Sequence, residues 1–137
     1  IEEAITPNEA LPVFLSEHPS NDEISNAIKI AVCNKNVHSN IITDFNSCDS
    51  KVRAAINEDL INVNFANEYD IFHSLTCCKL IIQGEQEPSV STPYLIALAN
   101  SANAKLTFIE QCGHYPTIEQ PVKFTQLLND FCVKCFK

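Results

Sequence analysis

Two glycines are unusually few in 137 residues, and they leave two places, Gly84 and Gly113, where glycine lets the chain turn sharply. Each closes a short apolar run. Lys79-Leu80-Ile81-Ile82-Gln83 stops at Gly84, the pattern of a buried parallel strand bounded by a turn. Lys105-Leu106-Thr107-Phe108-Ile109-Glu110 reads as a second strand, and Gln111 and Cys112 lead from it to Gly113. Between the runs lie a polar stretch, GEQEPSVST, and a helix opened by Pro93 that carries Tyr94, Leu95, Leu98, Ala99 and Ala102. One helix in such a connection is what a right-handed crossover between parallel strands requires. Pro121 then opens an amphipathic helix with Phe124, Leu127, Leu128, Phe131 and Cys135 on one face. The unit is strand–helix–strand–helix. It predicts an α/β fold with a parallel sheet, and reactive groups just beyond the carboxyl ends of the strands.

The first half has a different texture. Ser20-Asn21-Asp22-Glu23 is a capping box, and Ile24, Ala27, Ile28, Ala31 and Val32 follow it at helical period. Residues 33–49, rich in Asn, Ser and Asp, read as a loop with at most a short turn. A second helix is expected from Asp49 or Ser50, with Val52, Ala55, Ile56, Leu60 and Val63 facing inward. No part of residues 1–67 alternates well enough to predict a strand. The expected organisation is a helical, lid-like region over 1–67 and an α/β core over 68–137.

Charge and cysteine usage narrow the function classes. Seventeen acidic against nine basic residues give a net charge of −8, and the basic residues are scattered singly. No stripe exists to neutralise phosphates, so a nucleic-acid partner is not expected. No apolar run is long enough to span a membrane. The acidic start, IEEAITPNEALP, is not a signal peptide, and without an initiating Met residue 1 reads as a cut or processed end with segments upstream. Seven cysteines, odd in number and irregularly spaced, argue against a disulfide scaffold. Cys132 and Cys135 are expected in the core, and the thiols reduced, in a cytoplasmic protein. Nothing in the spacing implies a metal or a cofactor: no histidine pair has the helical i, i+4 spacing, and the Asn/Asp cluster at 44–50 lacks the glycine and terminal Glu of a calcium loop.

If the two strands are neighbours, a carboxylate from Glu85-Gln86-Glu87 after the first and the imidazole of His114 after the second come together at one edge of the sheet. A carboxylate accepting from one ring nitrogen fixes the tautomer and steadies the imidazolium, leaving the other nitrogen to deprotonate a nucleophile. Glycine at both turns would let the chain leave each strand sharply. Asp70 precedes the first strand, at the wrong end. His18 and His73 read as surface or lid histidines, and His38 as a loop residue. Cys112, two residues before His114, reads as a packing residue.

The stretch from Asp70 to Phe131 resembles the C-terminal part of a capped α/β-hydrolase. The resemblance runs through Lys79-Leu80-Ile81-Ile82-Gln83-Gly84-Glu85-Gln86-Glu87 and Gly113-His114-Tyr115-Pro116-Thr117-Ile118-Glu119-Gln120-Pro121, and both glycines fall on motif positions. It implies His114 as the general base, Glu87 as the acid that orients it, a structural role for Glu119 and Pro121 at the helix start, and a lid over 1–67 that shapes a small-molecule pocket. Three departures stand out. Glu87 occupies a position where Asp is usual, and Cys78 one where proline usually precedes the strand. Above all, the chain has no Gly-x-Ser-x-Gly elbow and so no nucleophile of that kind. The expectation is therefore the C-terminal fragment of a hydrolase of esters or related bonds, inactive alone and needing the N-terminal half of the fold as partner. The alternative is a non-catalytic binding or interaction module of the same fold.

Overall fold

A computed structural model describes residues 4–62 and 66–136. It contains eight α-helices and two strands among the described residues: α1 (Ala10–Leu15), α2 (Asn21–Ala31), α3 (His38–Ser47), α4 (Ser50–Asn62), α5 (Glu68–Ser74), β1 (Leu80–Gly84), α6 (Thr92–Ser101), β2 (Lys105–Ile109), α7 (Pro116–Glu119) and α8 (Pro121–Cys135). Strands β1 and β2 pair in parallel with Leu80 opposite Lys105 and Gly84 opposite Ile109, joined through α6. The predicted unit is present in the predicted order.

Helix α2 begins where its sequence requires. The Ser20 side chain accepts from Glu23 N, and Glu23 Oε2 accepts from Ser20 N at 2.7 Å, closing the capping box. Its apolar stripe becomes a core of Ile24, Ile28, Ala31, Val32 and Ile41, against which Val13, Phe14, Val37, Ile42, Phe45 and Tyr115 pack.

The loop expected over residues 33–49 is instead a 3-10 turn at Lys35–Val37 followed by α3. Tertiary packing overrides the poor helix propensity of its Asn, Ser and Thr residues. Ile41 is buried in the α2 core, Ile42 and Phe45 pack on it, and Arg53 lies 4.2 Å over the Phe45 ring while donating to the carbonyls of Ser16, Phe45 and Cys48. His38, expected in a loop, is the first residue of α3, with Nε2 donating to Val32 O at 3.0 Å.

Two other expectations differ from the structure. The intended inner face of α4 is open: Val52, Ile56 and Leu60 are all exposed, while Val63 lies outside the described residues. Cys132 and Cys135, expected in the core, are only half-buried, and no residue of α8 is fully buried. Periodicity marks which residues share a face, but burial needs a second layer, and among the described residues that layer is missing over the α4 face and covers the α8 face only in part. No helix among the described residues is long and apolar enough to cross a membrane.

Candidate functional site

Beyond β1 the chain turns at once. Glu87 N donates to Gly84 O, Glu85 N to Ile109 O and Gln86 N to Cys112 O, so the β1 loop is stitched to the end of β2 and the segment after it. The Glu87 carboxylate folds back and accepts from Ser89 N at 2.6 Å and Val90 N at 3.2 Å through Oε1. Residues near the N-terminus hold that loop from outside. Thr6 N donates to Ser89 O, Ser91 N to Ala4 O, and Asn8 Nδ2 to Ser89 Oγ, around an antiparallel bridge between Ile5 and Val90.

The two glycines serve this closeness, and the reason differs from the one expected. Neither has positive φ; the left-handed residue in the second turn is Gln111, at φ 55°. What glycine supplies is space. A Cβ on Gly84 would overlap the carbonyl oxygens of Cys112 and Gly113 and lie 2.8 Å from the Cys112 carbonyl carbon. A Cβ on Gly113 would overlap Ala31 O and sit 3.2 Å from Cys33 N. The two strand ends and the end of α2 therefore meet backbone to backbone.

That contact brings Glu87 and His114 together. His114 Nδ1 lies 2.8 Å from Glu87 Oε2 and 3.0 Å from Oε1. A carboxylate only accepts, so Nδ1 carries the proton and, in the neutral ring, Nε2 has the free lone pair. Nε2 has no hydrogen-bond partner among the described residues. The Glu87 side chain is 6% exposed and that of His114 35%. The Tyr115 ring stands edge-on to the imidazole, 4.9 Å between centroids.

Both ionisations shift toward the charged pair. The Glu87 hydrogen bond raises the His114 pKa, burial opposes it, and the charges of Glu87 and Glu119 add to the rise. Burial pushes Glu87 up, but the hydrogen bonds from His114, Ser89 and Val90 and the His114 charge outweigh it, so its pKa is lowered. Cys112 is 0% exposed, and burial with the nearby acidic groups pushes its thiol up to about 12. It is a protonated packing residue without nucleophilic character.

The remaining candidates lie elsewhere in the bonding pattern. Asp70 lies in the first turn of α5, its amide donating to the Asn67 cap; His18 is exposed beside Glu17; His73 stacks on Tyr69 and bonds Ser101. Among the described residues, no group of three His, Cys, Asp or Glu side chains could hold a metal ion.

One residue carries more than sequence reasoning assigned to it. Glu119, read as part of a helix start, is 3% exposed, and its carboxylate accepts from Gly113 N, Tyr115 N, Cys33 N and Asn34 N. The only trace in the sequence is an acid set between two helix-opening prolines, Pro116 and Pro121. Nothing local says which amides it will meet.

No protein-family model and no curated protein matches the chain. Solved structures do. A complex of the N-acyl homoserine lactonase AidH with N-hexanoyl homoserine lactone superposes with a TM-score of 0.80 at 19% identity, over 96% of this chain and 49% of that one. A Burkholderia cenocepacia protein assigned as an aryl esterase gives 0.78 at 16% identity, over 99% of this chain and 51% of that one. The chain has an α/β-hydrolase fold. It matches the C-terminal part of that fold and spans about half the length of the structures it resembles. The α/β-hydrolase ending thus accounts for the parallel pair, the crossover helix and the two loops at the strand ends.

Proposed function

We propose that this chain is the lid-bearing C-terminal part of an α/β-hydrolase that cleaves an ester or related bond, lactones included, in a small-molecule substrate. His114 is the general base and Glu87 the acid that orients it. The observation that carries the reading is the 2.8 Å contact between His114 Nδ1 and Glu87 Oε2 at the carboxyl ends of adjacent parallel strands. It leaves Nε2 to take a proton from a nucleophile and return it to the leaving group. No bound cofactor is needed for that chemistry. Glutamate in place of aspartate is compatible with it, because the Ser89 and Val90 amides hold Oε1 and aim the longer side chain at the ring.

The nucleophile and its oxyanion donors are supplied by the N-terminal half of the fold. No Gly-x-Ser-x-Gly occurs in the chain. The exposed face of α4, with Val52, Ile56 and Leu60, and the exposed Val122 and Val133 of α8 support a need for a partner layer. In this reading residues 1–67 form the lid over the pocket, and the protein works in the cytoplasm without nucleic acid.

The test is hydrolysis of p-nitrophenyl esters by the 137-residue chain, alone and after refolding with an N-terminal α/β-hydrolase half that carries the elbow. No turnover alone and turnover lost on His114→Gln in the assembled protein are expected. Turnover by the chain alone that depends on His114 would overturn the proposed division of labour. The missing elbow also favours a second reading, a non-catalytic binding module of the same fold. That reading predicts an upstream sequence without Gly-x-Ser-x-Gly and no turnover in the assembled protein.

A further inference from the structure

We infer that Glu119 is a positioning residue for His114, and that its one buried carboxylate locks the end of helix α2 and the His114 loop into a single unit. The inference rests on the proposed function only in naming His114 as the base.

The carboxylate is shared between two segments, 33–34 and 113–115, that are far apart in sequence. Oε2 accepts from Cys33 N at 2.7 Å and Asn34 N at 3.0 Å, just past the end of α2. Oε1 accepts from Tyr115 N at 3.1 Å, and both oxygens lie 3.1 Å from Gly113 N, so the amides on either side of His114 are held. The His114 amide itself donates to Ala31 O at 2.8 Å. Asn34 Nδ2 closes the arrangement by donating to Glu119 O at 3.2 Å. A buried carboxylate is stable only when its lone pairs are met, and here backbone amides meet all of them without a cation. The backbone of residues 113–115 is thus fixed on one side by Glu119 and on the other by Ala31. The imidazole between them can reach Glu87 in one orientation. A helix of the lid-like region, α2, is bonded through this carboxylate to the same loop, so the end of α2 cannot lift without releasing the amides that frame His114.

Glu119→Gln tests this directly. An amide has one accepting oxygen, and its NH2 must face either Cys33 and Asn34 or Tyr115, whose groups are donors. Whichever way it lies, one half of the clamp opens. Hydrogen exchange should rise about tenfold or more at the amides on the abandoned side, since each hydrogen bond to a charged group contributes on the order of a tenfold change or more in opening. Exchange in β1 and β2 should stay at its wild-type rate. The low-field Nδ1–H resonance of His114, visible while Glu87 holds the proton, should broaden or vanish. Removing the Glu119 charge without moving the ring would leave that resonance in place, so its persistence would overturn the positioning role.

A second measurement needs no variant. In the wild-type chain the Cys33, Asn34, Gly113, His114 and Tyr115 amides should share one opening free energy, within a factor of about two in protection. Widely separate values for the α2 side and the loop side would overturn the single unit. Neither arm reads turnover, so failure of the hydrolase proposal and failure of this one are separable.

Discussion

Gly84→Ala isolates the close approach that builds the site, because two effects of opposite sign compete at that position. Gly84 does not need a left-handed φ, so on backbone grounds alanine would be accepted. By restricting the unfolded chain it would then stabilise the protein by about 0.4–1 kcal/mol. The space argues the other way. The new Cβ would lie 2.8 Å from the Cys112 carbonyl carbon and overlap two carbonyl oxygens, and backbone cannot rotate out of the way as a side chain can. Restoring carbon–carbon contact to about 3.5–4 Å moves the loops apart by roughly 1 Å. That retreat stretches the Gln86 N to Cys112 O bond, now 2.9 Å, beyond hydrogen-bonding range. Overpacking costs about 1–3 kcal/mol and the backbone bond about 0.5–1.5, leaving a net loss of about 0.5–4 kcal/mol. The same displacement separates Glu87 from His114, so the His114 Nδ1–H resonance should weaken along with the urea midpoint followed by circular dichroism. A midpoint equal to or above wild type would show that the strand ends do not meet as tightly as described, and would refute the reasoning.

Three further outcomes follow from the same geometry. The Glu87–His114 pair should stabilise most between pH 4.5 and 6.5. The raised His114 contribution is full below 6.5 and fades as pH rises through its folded value; the lowered Glu87 contribution is full above 4.5 and fades as pH falls through its own. With a third of the imidazole exposed, the stabilisation lost in His114→Gln across that window should be about 1 kcal/mol, nearer a surface pair than a buried one, and a pH-independent difference would contradict the pairing. Ser20→Ala should cost about 1 kcal/mol of stability by opening the α2 capping box, read as a lower urea midpoint; no change would mean that the cap is redundant. In native thiol titration at pH 8, exposed Cys33, Cys48 and Cys77 should react quickly while Cys112, buried and protonated, stays inert until the protein unfolds; early labelling of Cys112 in a peptide map would contradict its burial.

How much of this was legible depended on range. The α2 stripe and its cap, the two strands, the crossover helix and the Pro121 helix start could be read because each rests on neighbours within a few residues. Helix α3 could not, since its residues favour a loop and only Ile41, Ile42 and Phe45 against the α2 core make a helix of them. The half-burial of Cys132 and Cys135 and the open face of α4 were equally invisible, because a periodic stripe does not say whether a second layer is there to cover it.

The site divides along the same line. By itself, the sequence determined that acids follow one strand and a histidine the other, each past a glycine, and the resemblance narrowed the pair to Glu87 and His114. Only the tertiary structure decided why glycine is required there: the strand ends and the end of α2 pack backbone on backbone, with no room for a Cβ and no call on positive φ. It also decided the use of Glu119, whose partners at Cys33 and Asn34 lie 86 and 85 residues away. A carboxylate's chemistry is local, but which amides converge on it is a property of the fold, set when segments distant in sequence are packed into one place.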